Sequence, residues 1–227
     1  MMFSPPLKGI LFDFDGLILD TETPIFQAWK RKFREYGKEL LLEEWAEILG
    51  KSNDELGPLE GFLNEFSDPE DRQRIQAEVS GEELSLVIKQ KPLSGAEELI
   101  TRARQKGLKL GIVSSSDQKW VHGHLERLGL LDYFHHTSCA DEVEVAKPDP
   151  SLYHLGLKKM GAAPQSVVVL EDSPNGVLAA KRAGLYCIAV PNQLTGQLSF
   201  HEEGGKPDRV LRALDDFPWD ELMRTDA

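Results

Sequence analysis

Between residues 93 and 190, stretches of helical periodicity alternate with short runs of Val, Ile and Leu. Helices are expected over 96–106, 118–128, 150–160 and 174–183, and strands over 108–113, 166–170 and 187–190. Gly107, Gly129, Gly161 and Gly184 close the helices, as residues that take a left-handed terminal conformation without steric cost. Short apolar strands separated by helices of this length form βαβ units around a parallel sheet. A further apolar run, Gly9-Ile10-Leu11-Phe12, opens the pattern, and Val210-Leu211 is a short candidate for a last strand.

Residues 20–91 break the rhythm. Thr23 is read as a helix cap with Pro24 at the first helical position; Ile25, Trp29 and Phe33 then fall on one stripe and Gly37 stops the helix. Segments 41–49, 56–66 and 69–89 also have helical spacing, with turns at Gly50, Gly57-Pro58 and Ser67-Asp68-Pro69. The expected architecture is therefore α/β, a Rossmann-like three-layer core with a parallel sheet plus an inserted all-helical cap. Residues 1–19 and 92–227 are assigned to the core and 20–91 to the cap. The insertion leaves and re-enters the core at Leu19-Asp20 and Lys91-Pro92, close to Asp13 and Asp15, which suits a lid.

Composition narrows the partners. A formal net charge of -12 opposes binding to nucleic acid or to an anionic membrane, so an anionic substrate needs local positive charge. Cys139 and Cys187 lie far apart in apolar surroundings and read as buried thiols of a reducing compartment. No stretch approaches the roughly 20 apolar residues of a membrane span, and residues 1–8 lack an apolar signal core. A cytoplasmic monomer acting on a small molecule is expected.

The polar residues at the ends of the apolar runs carry the chemistry. Asp13 and Asp15 follow the first run, Ser114-Ser115-Ser116-Asp117 the second, and Glu171-Asp172-Ser173 a later one, while Lys147-Pro148-Asp149-Pro150 precedes a helix. Each has an ordinary explanation taken singly: turn former, helix cap or solvated cation. If the strands are parallel, however, their carboxyl ends share one edge, where open α/β folds bind ligands. Carboxylates gathered there repel one another unless a cation or a catalytic role holds them. Phosphoryl transfer through an aspartyl intermediate needs these residue types. Asp13 is the candidate nucleophile, and Asp15 the acid that protonates the leaving oxygen and the base that then activates water. Ser114, Ser115 and Lys147 suit the phosphoryl oxygens. Mg2+, a hard cation, suits Asp13, Asp172, the carbonyl of Asp15 and Glu171, bound directly or through water.

In order and spacing these segments resemble the haloacid dehalogenase superfamily. Its first motif is similar to Asp13-Phe14-Asp15-Gly16-Leu17-Ile18-Leu19-Asp20-Thr21-Glu22, its second to Ser114, its third to Lys147 and its fourth to Glu171-Asp172. The helical insertion resembles the cap of the β-phosphoglucomutase-like and phosphoglycolate-phosphatase-like subgroup. The resemblance implies Mg2+-dependent hydrolysis of a small phosphorylated metabolite, with nucleophilic Asp13 and acid/base Asp15. The second aspartate disfavours dehalogenation. β-Phosphoglucomutases carry a cap histidine and arginine where Ile25 and Asn53 stand here, so a phosphatase is preferred to a phosphosugar mutase, and both to a noncatalytic sensor. Gly50, Lys51 and Ser52 of the cap loop are the candidate specificity element. His122, His124, His135 and His136 are read as surface or packing residues, the last two in a turn, and Trp120 either as a wall of the active-site edge or as a helix-packing residue.

Overall fold

The computed structural model describes residues 6–46, 49, 57–200 and 205–224. Six parallel strands form one sheet: β1 Gly9–Phe12, β2 Lys109–Val113, β3 His136–Ser138, β4 Val167–Glu171, β5 Tyr186–Ala189 and β6 Arg209–Val210, in the order β3-β2-β1-β4-β5-β6. The chain runs outward from β1 through β2 and β3, then crosses to β4 on the other side of β1. That reversal opens a crevice at the carboxyl ends of β1 and β4. Register sets what meets there. Phe12 is level with both Ile112 and Leu170, which brings Asp13, Ser114 and Glu171 to the same edge within two residues of the paired positions.

Every residue of β1 and β4 is buried, because helices cover both faces. Ile10, Phe12, Leu110, Ile112, Val168 and Leu170 face one apolar cluster with α5 Ala96–Gln105 and α6 Gln118–Arg127. Leu11, Val113, Val167, Val169 and Cys187 face the other, with α7 Ser151–Met160 and α8 Pro174–Arg182. The period-2 alternation thus feeds two cores. Cys139 and Cys187 are buried free thiols.

The inserted block consists of α1 Glu22–Glu35, α2 Leu42–Ala46, α3 Pro58–Asn64 and α4 Pro69–Val87. It has its own apolar cluster around Trp29, Phe33, Trp45, Phe62 and Ile75, with Phe33 stacked on Phe62 at 4.3 Å between ring centroids. Asp68 caps α4 by accepting from the Glu70 amide, with Pro69 following it. Leu19 bridges to Pro92, so the two connecting strands run side by side.

Three local expectations are corrected. Helix α1 starts at Glu22, one residue before Thr23; the capping acceptor is Asp20, whose Oδ1 takes the Thr23 amide at 3.0 Å. His136 is not in a turn but begins edge strand β3, and its imidazole occupies the space that a side chain on Gly111 would fill: an ideal Cβ there falls 2.2 Å from His136 Cε1. The last strand is Arg209–Val210, one residue earlier than expected. A short polar sequence on a sheet edge carries little hydrophobic signal. A carboxylate two residues ahead of the helix, not a hydroxyl inside it, satisfies a free amide of the first turn. Among the described residues no helix is long and apolar enough to cross a membrane.

Candidate active site

Asp13 continues the β1–β4 ladder, donating its amide to Leu170 O at 2.9 Å, which fixes its carboxylate at the crevice. Lys147 reaches it from the loop before α7. The Lys147 ammonium donates to Asp13 Oδ1 at 2.5 Å, Glu171 Oε1 at 2.7 Å and Val113 O at 2.8 Å. Its side chain is 1% exposed, which excludes the solvated-cation alternative. Burial opposes its charge, but Asp13 and Glu171 outweigh burial and move its proton affinity upward. The ammonium therefore stays charged and its three donors are all used.

Glu171 is bonded on both oxygens. Oε1 accepts from Lys147 and from Tyr153 Oη at 2.6 Å. Oε2 accepts from the amides of Asp172 and Ser173 and from Ser173 Oγ, at 3.2, 3.3 and 3.3 Å. Gly176, in the first turn of α8, makes room for it: a Cβ at this position falls 1.9 Å from Glu171 Oε1.

Asp13, Glu171 and Asp172 can each present a carboxylate oxygen within 4.8 Å of the others, all buried. Burial raises the Asp13 carboxyl to about 8, with Lys147 opposing and Glu171 and Asp15 adding to the rise. Asp172 is pushed well above the carboxylate range, first by burial and then by Asp13 and Glu171. Three buried carboxylates around one ammonium are short of positive charge. An all-oxygen donor set with that deficit fits a hard divalent cation. Asn192 Nδ2 holds Asp172 Oδ2 at 2.9 Å and Gly16 O at 3.0 Å.

Asp15 has a separate environment. Oδ1 accepts from Thr21 Oγ1 at 2.9 Å and Trp120 Nε1 at 2.8 Å; Oδ2 accepts from Ser114 Oγ at 3.1 Å and Ser116 Oγ at 2.8 Å. Ser114 is anchored by its amide to Ser138 O on β3 and by the Ser116 amide to its Oγ. Ser115 is buried beside it. Asp117 caps α6 through the Trp120 amide at 2.7 Å, which orients the indole toward Asp15. His124 stacks on Phe14 and meets Trp120 edge-on, a packing role.

The expected residues Asp13, Asp15, Ser114, Ser115, Lys147, Glu171 and Asp172 thus gather at one sheet edge. Gly50, Lys51 and Ser52 lie outside the described residues, as does Asn53. Sequence reasoning left out the roles of Thr21, Ser116, Tyr153 and Asn192, and saw in Trp120 a wall or a packing residue but not a hydrogen-bond donor to Asp15. Thr21 and Ser116 sit inside motifs already singled out, whereas nothing local marks Asn192.

A parallel sheet with this carboxylate-and-lysine edge and a helical insertion after β1 defines a class of phosphate-handling hydrolases. The chain belongs to the haloacid dehalogenase-like hydrolases, whose family model matches residues 10–190, and it is a phosphatase of that family. YhcW of Bacillus subtilis (strain 168) is 40% identical over 205 residues, covering 86% of this chain and 89% of its own. The phosphorylated carbohydrates phosphatase of Thermotoga maritima is 32% identical over 214 residues, covering 92% and 98%. A solved structure of a CbbY mutant from Rhodobacter sphaeroides in complex with xylulose-(1,5)bisphosphate is similar with a TM-score of 0.74 and 25% identity, covering 96% of this chain and 100% of that one. β-Phosphoglucomutase from Clostridium difficile shares the fold, with a TM-score of 0.75, 22% identity and coverage of 95% of each chain.

Proposed function

We propose that the protein hydrolyses the monophosphate ester of a small, hydroxylated, sugar-like metabolite through a phosphoryl intermediate on Asp13, with Mg2+ as cofactor. Residues 1–19 and 92–227 act as the catalytic core and 20–91 as the cap that covers it. The observation that carries this is the buried contact of Lys147 with Asp13 Oδ1 at 2.5 Å. It fixes one carboxylate oxygen and leaves Oδ2 to attack phosphorus.

Asp13, Asp172 and the Asp15 carbonyl would hold the cation, with Glu171 beside them. Bound Mg2+ supplies charge that keeps Asp13 ionised and offsets the negative phosphoryl oxygens. Glu171, with both oxygens occupied, chiefly positions Lys147. Ser114 and Ser115 receive the phosphoryl group, and Lys147, its three donors already engaged, contributes its positive charge. As Asp13 Oδ2 bonds to phosphorus, the ester P–O bond breaks and Asp15 gives its proton to the departing alcohol oxygen. Asp15 then takes a proton from water as that water attacks phosphorus, the Asp13–phosphorus bond breaks, and inorganic phosphate leaves. A phosphate that draws the Ser114 hydroxyl away from Asp15 frees the Asp15 carboxyl to turn toward the reacting bond.

Ile25 on α1, standing where β-phosphoglucomutases carry a cap histidine, supports hydrolysis over mutation of a phosphosugar. Glu22 is raised to about 8, first by burial and then by the carboxylates of Asp15, Asp13, Asp20 and Glu83. Glu83 is itself raised to about 7, mainly by burial. Glu22, close to Asp15 and Asp13 and carrying its proton at neutral pH, offers a hydrogen-bond donor to a substrate oxygen. Phosphate release across a panel of sugar, polyol and nucleoside monophosphates, with and without Mg2+, tests the proposal. Sugar and polyol phosphates should lead. Dependence on a sugar bisphosphate, with phosphate retained on the product, would establish the mutase instead.

A further inference from the structure

The loop that follows β5 belongs by sequence to the core, yet it reaches both the carboxylate edge and the cap. Leu194 is 5% exposed and is a member of the cap's apolar cluster, and Leu198 packs against the same cluster. Two residues before Leu194, the Asn192 side chain has every hydrogen-bonding position filled. Its Nδ2 donates to Asp172 Oδ2 and Gly16 O at 2.9 and 3.0 Å; its Oδ1 accepts from the Leu194 and Thr195 amides at 2.8 and 2.9 Å. Thr195 is fully buried, and its Oγ1 accepts the Asn192 amide at 3.0 Å. One amide group therefore holds Asp172 with its donors and shapes the turn that carries Leu194 with its acceptor.

The fit around Gly16 makes this junction tight. Gly16 has φ of 81°, and a Cβ there would fall 2.4 Å from Asp172 Oδ2 and 2.8 Å from Asn192 Nδ2. The loop carrying Asp13 and Asp15, the Asp172 carboxylate and the 191–198 loop are packed with no slack, so that displacement of one moves the others. A second tie joins the same parts: Asn175 Nδ2, in the first turn of α8, donates to Leu49 O of the inserted block at 2.7 Å.

We infer that Asn192 is a positioning residue for Asp172, and that the 191–198 loop couples the seating of the cap, through Leu194, to the affinity of the carboxylate edge for its cation. The inference rests on the cation site proposed above. Groups that orient a metal ligand typically change affinity about 10–100-fold when removed. A group that acts by displacing the loop from the cap side should have a smaller effect of the same sign. Linkage makes the coupling reciprocal: metal binding should also favour the seated cap.

The test is Mn2+ titration, followed by electron paramagnetic resonance and calorimetry without substrate, on wild type, Asn192→Ala, Leu194→Ala and Leu194→Met. Near-ultraviolet circular dichroism and metal-free melting serve as checks on folding. Wild type should bind one Mn2+. Asn192→Ala should weaken binding about tenfold or more, Leu194→Ala should weaken it severalfold although it touches no carboxylate, and Leu194→Met should restore it. Should Asn192→Ala not fold, the Leu194 pair decides. Equal affinity in wild type, Asn192→Ala and Leu194→Ala overturns the inference and leaves the cation site standing. Unchanged affinity in Leu194→Ala alone removes the coupling to the cap. Absence of Mn2+ binding to folded wild type removes the cation site itself.

Discussion

Lys147 at the floor of the crevice and Arg31 on helix α1 of the cap both pair with glutamates, in opposite settings. Lys147 is 1% exposed and its partner Glu171 is completely buried, whereas Arg31 and Glu82 are 45% and 39% exposed. Water screens the outer pair, which contributes little. The inner group has exchanged hydration for a fixed set of bonds, so loss of one member leaves the rest uncompensated. The cap gains its stability from apolar packing around Phe33, Phe62 and Trp45. The core edge spends stability on concentrated charge, as expected for a site completed by the cation and phosphate proposed above.

Lys147→Met should make the largest difference. It leaves Asp13 and Glu171 buried without their ammonium and should cost about 3–5 kcal/mol in urea unfolding at pH 8 without metal, along with turnover. A loss below about 1 kcal/mol, the size expected of a solvent-screened pair, would contradict the buried-charge account.

The metal-free protein should also lose stability as pH rises. The Asp13 carboxyl moves from 3.8 to about 8 on folding, so between those values the folded state binds the extra proton and the unfolded state does not. Stability from that proton is complete below the lower value and is lost as pH climbs through the upper one, by an amount on the order of a few kcal/mol. Melting curves from pH 5 to pH 8.5 should fall without Mg2+ and flatten with it. A metal-free curve that rises over this interval would refute the assignment.

Two glycines sharpen the contrast. Gly176→Ala forces a Cβ against Glu171 and should destabilise by about 1–3 kcal/mol with reduced turnover. Gly81→Ala, inside α4 with nothing within 4 Å of the added atom, should stabilise by about 0.5–1 kcal/mol with turnover unchanged. Arg31→Ala should have the smallest effect, below about 1 kcal/mol with unaltered kinetics.

The core edge was legible because its residues end strongly apolar strands. Asp13 after Gly9–Phe12 and Glu171-Asp172 in and after β4 are marked by the change from Val, Leu and Phe to carboxylate. The β3 strand was missed because His136-Thr137-Ser138 is short and polar, and its place depends on a glycine 25 positions earlier. The four donors around Asp15 come from Thr21, Ser114, Ser116 and Trp120. Such convergence depends on register and helix capping, which no local pattern records. Asn192 is similar: its partner Gly16 lies at the other end of the chain, and only the fold joins them. Thr23 was mistaken for the cap because hydroxyl caps are common, while Asp20 does the capping from outside the helix.

The proposed chemistry turns on Asp13 itself taking the phosphoryl group. Acid quenching of the enzyme during turnover of a good sugar phosphate, followed by peptide mass spectrometry, reads this directly. One phosphoryl group should appear on the peptide containing Asp13 and be absent from Asp13→Asn, whose turnover should fall by at least about a thousandfold. An Asp13→Asn protein that still releases phosphate at the wild-type rate would contradict the mechanism.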